Sequence, residues 1–262
     1  TNNATTVDKG IVIEDATSAA TAGSQFVWIP VGKIYTDTAK TEANAKIIEL
    51  NRYTFDTNGN PAAQGENVIT ENNINYQELE TSNKGNIVAK GISKFKTSVA
   101  TNGGYYIGRY EARKNTNGTI TEIVTDTVWN NITQPNAAMQ AKNMYQNATT
   151  FTSDLMNSYA WDTATLFLQT CGKDKYSRKT SVNTSLSQTG TTEDKQCNVF
   201  DMASNVYEWS TETANDSNYP CVCRGGRYRN SSNYTNLRDN ASTSNIYDFL
   251  GFRPLLFIGL NS

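Results

Sequence analysis

The apolar residues of this chain fall in short, widely spaced groups. Ile11–Ile13 and Gln25–Val31 (QFVWIPV) each carry enough β-branched and aromatic residues for a short strand, with a small-residue turn between them. Pro30 has no N–H for a ladder, so the second strand is expected at an edge or a bulge. Lys46–Phe55 (KIIELNRYTF) alternates as a strand does, and Thr57-Asn58-Gly59-Asn60-Pro61 is a turn signal behind it. Gly103–Ala112 (GGYYIGRYEA) predicts a further strand, with its glycines turning the chain into it. Two helical patterns follow. Thr133 caps the first, with Pro135 in its first turn and Ala138, Ala141, Met144 and Tyr145 on one stripe. Thr152 or Ser153 caps the second, with Leu155, Met156, Tyr159, Ala160, Thr163, Phe167 and Leu168 facing inward. Residues 172–196 read as a long polar loop, and no internal repeat is evident.

Short strands, two helices in the middle and a loop-dominated second half predict an α+β fold in which loops carry the function. Residues 1–10 read as a flexible lead-in and 11–262 as a single domain. The stretch near 36–100 holds too few apolar residues for its own core and is expected as a peripheral polar insertion of hairpin and loops. The chain opens at Thr1 without an initiator Met, which suits removal of a signal, anchor or upstream domain.

Composition narrows the chemistry. A net charge of −2 with 18% charged residues shows no basic patch for nucleic acid. No run approaches the roughly 20 apolar residues that span a bilayer. The Asn, Thr and Ser content is common in secreted and surface proteins. Histidine is absent, which removes Ser-His-Asp triads, Cys-His dyads, His-ligated zinc and the two-histidine iron site together. Four cysteines (Cys171, Cys197, Cys221 and Cys223) allow three pairings, and the C-x-C at 221–223 is a weak metal signal with no histidine to complete it.

The last quarter carries three anchors: DMASNVYEW (201–209), RGGRY (224–228) and LGFRP (250–254). Asp201 and Glu208 bracket a turn that can fold around a hard cation, which takes six to eight oxygens. Glu208 can equally cap a turn or pair with an arginine such as Arg253. The two glycines of RGGRY permit positive φ or close backbone approach. Between the second and third anchors the chain is polar, with scattered aromatic residues.

FVWIPVG (26–32), YYIGRYEA (105–112), SYAWD (158–162), NVFDMASNVYEW (198–209), RGGRY and GFRP together resemble the formylglycine-generating-enzyme or sulfatase-modifying-factor family. That resemblance implies a variant of the C-type lectin fold whose C-terminal segment lines the ligand site. It also implies a structural calcium held by the side chains of Asp201 and Glu208 and the carbonyls of Ser204 and Val206, with Ser204 in place of the family's usual glycine. The family's oxidases carry two copper-binding cysteines after the RGG motif, at positions that here hold Asn230 and Thr235. Neither is a thiolate, and copper(I) takes soft ligands. The ergothioneine-type iron oxidases of the fold need histidines. No copper or iron is therefore expected.

What remains resembles the variable proteins of diversity-generating retroelements, in which adenine-directed mutagenesis rewrites AAY codons between RGG-type and GFR-type borders. Such codons never yield Lys, Glu, Gln, Met or Trp, and residues 227–248 contain none of these five. The resemblance implies a non-catalytic binding protein, outside the cell or on a phage particle, whose partner is a protein or glycan. The ligand-binding segment spans 224–254. Its binding face is drawn from Arg227, Arg229, Asn230, Asn233, Tyr234, Asn236, Asn240, Asn245, Ile246 and Asp248, with Tyr and Arg as anchors and Asn as adaptable hydrogen bonders. Arg224, Gly225, Gly226, Tyr228, Leu250, Gly251, Phe252 and Arg253 form its frame. The alternatives are a copper-dependent or other oxidase of the same family and a structural surface or pilus-associated domain.

Overall fold

The computed structural model describes residues 6–16, 20–81, 91–114, 120–121 and 127–259. Its strands form two main sheets. The first is antiparallel throughout, in the order Val12–Glu14, Gln25–Pro30, Gly104–Gly108, Pro254–Ile258, Phe151–Leu155. The second runs Arg238–Ala241, Cys221–Arg224, Tyr207–Ala214, Ile74–Gln77, Ile69–Glu71. Leu250–Phe252 adds to it in parallel beside Tyr207–Trp209. Among the described residues three α-helices accompany the sheets: α1 (Ile92–Asn102), α2 (Gln134–Asn143) and α3 (Ser158–Cys171). The architecture is α+β.

The Pro30 strand is not an edge strand and carries no bulge: it lies between Val12–Glu14 and Gly104–Gly108, and Pro30 is tolerated because Val12–Glu14 pairs only with Gln25–Val27 and leaves the Pro30 end uncovered on that side. Helix α2 is as expected. The Thr133 hydroxyl accepts from the Asn136 N–H at 3.3 Å, and Ala138, Ala141 and Met144 are buried.

The second helix begins later than its pattern suggests. Phe151–Leu155 is a strand against Pro254–Ile258, so Thr152 and Ser153 cap nothing. Asn157 caps α3 instead, its side chain accepting from the Ala160 N–H at 2.8 Å. Every residue from Ser158 to Leu168 is buried, so α3 is an interior helix without a solvent face over that stretch. Trp161 and Phe167 are fully buried, each stabilising the fold by about 1.5–3 kcal/mol on transfer grounds.

Lys46–Phe55 divides into two strands, Ala45–Ile48 and Tyr53–Phe55, with different partners. The break has a cause on α3. Asp162 accepts the Tyr53 N–H at 3.0 Å and the Thr163 hydroxyl accepts the Asn51 N–H at 3.1 Å, so side chains replace the ladder there. The insertion is less peripheral than its composition suggests. Ile69–Glu71 and Ile74–Gln77 extend the second sheet through Gln77 opposite Thr213. Helix α1, absent from the sequence reading, buries Phe95 and Val99 and ends at Gly103, whose left-handed φ of 74° and N–H to the Val99 carbonyl close the last turn.

Candidate ligand-binding face

The site is built from a buried floor upward. At the end of Cys221–Arg224, Gly225 has φ +85°, and a Cβ there would stand 2.6 Å from the Met202 carbonyl oxygen. A Cβ on Gly226 would stand 2.0 Å from the Ala203 carbonyl oxygen. The RGG backbone thus lies directly on the DMAS turn, which no side chain would allow. Within that turn the left-handed residues are Asp201 and Asn205, at φ 65° each. Ser204 is not among them, so serine is accommodated at the usual glycine position. Asn205 ties the turn to its surroundings: its Nδ2 donates to Glu111 at 2.5 Å, its Oδ1 accepts from the Ser187 N–H at 2.9 Å, and its carbonyl accepts from the Tyr228 N–H at 2.9 Å.

Beneath the strands lies a charged network that sequence reading did not find. Arg224 donates to Asp162 at 2.5 Å and to Glu212 at 3.3 Å, and Arg238 donates to Glu212 at 3.0 Å and also to Asp162. Arg52 adds a bond to Glu212 at 2.6 Å. Burial alone would push the Glu212 carboxyl up, but Arg238, Arg52 and Arg224 outweigh it and hold it at about 2. Removing one member of such a buried set strands the others, so the network fixes where Arg224 and Arg238 lie. Arg253 does the same for the last anchor. It forks onto both oxygens of Glu208, at 3.0 and 2.6 Å, and reaches the Gly108 and Phe200 carbonyls at 2.8 Å.

Above this floor the polar segment sorts by exposure. Arg229, Ile246 and Asp248 are exposed, and the other seven nominated residues are half-buried. The residues between them that hold the segment down, Tyr228, Thr235, Arg238 and Ala241, are buried. Arg227, Asn230, Asn233, Asn240 and Asn245 line one open groove of about 500 Å³. Tyr234 and Asn236 stand apart from it. The Arg178 guanidinium stacks on the Tyr234 ring at 3.6 Å, and the Asn236 N–H donates to the Ser177 carbonyl at 3.1 Å. Arg229, Ile246 and Asp248 also lie outside the groove lining.

The groove brings in residues that sequence reasoning passed over: Tyr207, Tyr219, Asp239, Tyr247 and Phe249. The Tyr247 and Phe249 rings stack at 4.9 Å with 7° between planes. The Arg227 guanidinium lies 4.2 Å from the centre of the Phe249 ring and 5.4 Å from that of Tyr207. The aromatic residues dotted through and beside the polar segment were the available signal.

The four residues offered as a calcium set are all buried. Both Glu208 oxygens accept from Arg253, while Asp201 accepts from the Gly190 N–H at 3.0 Å and from the Thr192 hydroxyl. As arranged, these carboxylates serve hydrogen bonds and an ion pair. Among the described residues no group of three or more His, Cys, Asp or Glu is placed to hold a metal ion. Burial raises the Asp201 carboxyl to about 6, against the opposing pull of Thr192 and Gly190.

At the two positions where the family's oxidases need cysteines, Asn230 lines the groove and Thr235 is buried. The Thr235 carbonyl accepts the Trp161 indole N–H at 3.1 Å, so that residue is part of the floor. All four cysteines are free thiols. Burial pushes Cys171 and Cys221 to about 12 and Cys197 to about 11, far from the thiolate form at neutral pH. Among the described residues no helix is long and apolar enough to cross a membrane.

Residues 13–256 match the family described as the sulfatase-modifying factor enzyme 1-like domain. No curated protein sequence matches the chain. Among solved structures, PvdO from Pseudomonas aeruginosa superposes with a TM-score of 0.51 at 11% identity, covering 96% of this chain and 98% of that one. The M1 variant of the major tropism determinant gives 0.41 at 12% identity, covering 92% and 65%. Variable protein 1 of Treponema denticola gives 0.37 at 14% identity, covering 94% and 98%. At these identities the PvdO likeness is one of fold.

Proposed function

The chain belongs to the sulfatase-modifying factor enzyme 1-like family, and from that premise we propose that it is a non-catalytic binding protein. Its ligand face is the exposed side of residues 227–249, acting outside the cell or on a phage particle, and a retroelement diversifies that face. The observation that carries the reading is the division of one polar segment into two sets. All ten candidate positions lie at the surface or half-buried, while Tyr228, Thr235, Arg238 and Ala241 among them are buried and bonded into the floor. A surface that varies without unfolding its scaffold needs this separation. The oxidase reading requires soft ligands at 230 and 235, where the chain has an amide and a buried hydroxyl.

The gene itself provides the test. AAY codons at the candidate positions, with a near-copy of the cassette beside a reverse-transcriptase gene, support diversification; unrelated codons and no copy overturn it. A copper titration with oxygen uptake tests the absence of catalysis. Stoichiometric binding with oxygen consumption would restore the oxidase.

A further inference from the structure

We infer that the groove beside Arg227 takes an acidic saccharide, a pyranose ring bearing a single carboxylate. This deepens the binding reading above and rests on it. Shape comes first. A hollow of about 500 Å³ falls within the roughly 300–1,000 Å³ of clefts that enclose small ligands, and one or two sugar rings fill such a space where a flat protein epitope does not.

The walls then select the chemistry. Tyr219 is 49% exposed and Tyr247 43% exposed, so two ring faces are open to the apolar C–H face of a sugar. Tyr247 is held flat by its stack on Phe249. Of the amides around the groove, Asn245 is committed at both ends, accepting from the Ser242 N–H and donating to the Tyr247 hydroxyl, and two others by halves. Asn230 gives its carbonyl to the Ser232 N–H and keeps its donor side. Asn240 gives its Nδ2 to the Tyr219 carbonyl and keeps its acceptor side. Asn233 makes no side-chain hydrogen bond among the described residues. Open donors and open acceptors side by side suit hydroxyls, which do both.

Arg227 supplies the charge selection. The Phe249 and Tyr207 rings flank its guanidinium, and its Nε is buried without a partner. Its one hydrogen bond to a carbonyl, to Tyr228, is long at 3.5 Å. Its other side-chain partner is the Tyr207 hydroxyl, and a groove-lining guanidinium held by one long carbonyl bond and a phenol matches a carboxylate, which it binds more strongly than either. Asp239 lines the same groove. Its charge repels any carboxylate, a run of them, as in an acidic peptide, more than the single one that Arg227 offsets.

Saturation-transfer and 1H–15N NMR titrations decide the matter. The probes are the methyl glycosides of N-acetylneuraminic acid, glucuronic acid and glucose, with an acetylated glutamate methylamide as the peptide comparison. An acidic glycoside is expected to bind at least tenfold more tightly than methyl glucoside or the glutamate derivative, shifting Tyr247 and the Arg227 side chain. Arg227→Gln removes the acid preference, and Tyr247→Ala weakens both glycosides. Equal binding of acidic and neutral glycosides, tighter binding of the glutamate derivative, insensitivity to Arg227→Gln, or no binding of any glycoside overturns the inference. Thermal melts of Asn230→Ser and Asn233→Ser separate the two levels. If both fold normally while the saccharide arm fails, the display reading stands alone; if both unfold, the display reading falls too.

Discussion

Arg224 and Arg238 stand within eleven residues of Arg227 and Arg229 in the same polar stretch, yet the two pairs live in different media. The first pair is fully enclosed and neutralised by Asp162 and Glu212. The second lies in the surface layer, Arg227 against Phe249 and Tyr207 and Arg229 beside Tyr228. The difference is one of partners. Where strands from residues 207–214, 221–224 and 238–241 converge on α3, acids are available and an arginine becomes a rivet. Where the chain loops away, aromatic faces are available and an arginine becomes a contact surface. One composition thus builds both a rigid floor and a changeable face.

That contrast can be broken from the floor first. Arg238→Ala leaves Asp162 and Glu212 short of a buried partner and is expected to cost about 3–5 kcal/mol, read as a lower urea midpoint; a loss under 1 kcal/mol would deny the floor its role. Gly226→Ala drives a methyl into the Ala203 carbonyl, and a loss of roughly 1–3 kcal/mol is expected from the forced backbone shift.

Next comes pH. Burial raises the Asp201 carboxyl from its ordinary value near 3.8 to about 6, so the folded chain holds more protons between these values. Its stabilising contribution is complete below about 4 and is lost as pH rises through about 6. Glu111, raised by burial and by the nearby Asp201 and Glu208, acts in the same direction. Melting temperature should therefore rise on acidification from pH 7 to 5, and Asp201→Asn should flatten the slope. A calcium ion on Asp201 would depress its carboxyl and reverse the sign, and chelator would then lower the melting temperature at pH 7. The smallest effect belongs to the face. Asn233→Ser and Ile246→Thr are expected to change stability by no more than about 0.5 kcal/mol in thermal melts, and a loss near that of Arg238→Ala would erase the distinction between floor and face.

Much of the scaffold was legible because its signals are local. The cap at Thr133 follows from one stretch of chain, whereas the strand of Pro30 acquires its second neighbour only in the folded sheet. Helix α1 escaped because ISKFKTSVATN is β-branched and polar, and its helical state depends on Phe95 and Val99 finding the Gly104–Gly108 and Pro254–Ile258 strands. The start of α3 was misplaced because Phe151–Leu155 suits a strand once Pro254–Ile258 lies beside it. In the site, five of the ten candidate residues meet in one groove, and Tyr207, Tyr219, Asp239, Tyr247 and Phe249 join them there. Their membership depends on loops meeting in space, which no periodicity records.

The sequence by itself determined the family, the absence of histidine, and the amide and hydroxyl at 230 and 235. Each is a matter of which residues exist and in what order. Only the tertiary structure decided which arginines are rivets and which are contacts, because Asp162 and Glu212 reach Arg224 and Arg238 from other elements. An arginine in a polar stretch is expected in water until strands distant in sequence close over it. The paired acids then offset the lost hydration, and removing one of them is what becomes costly.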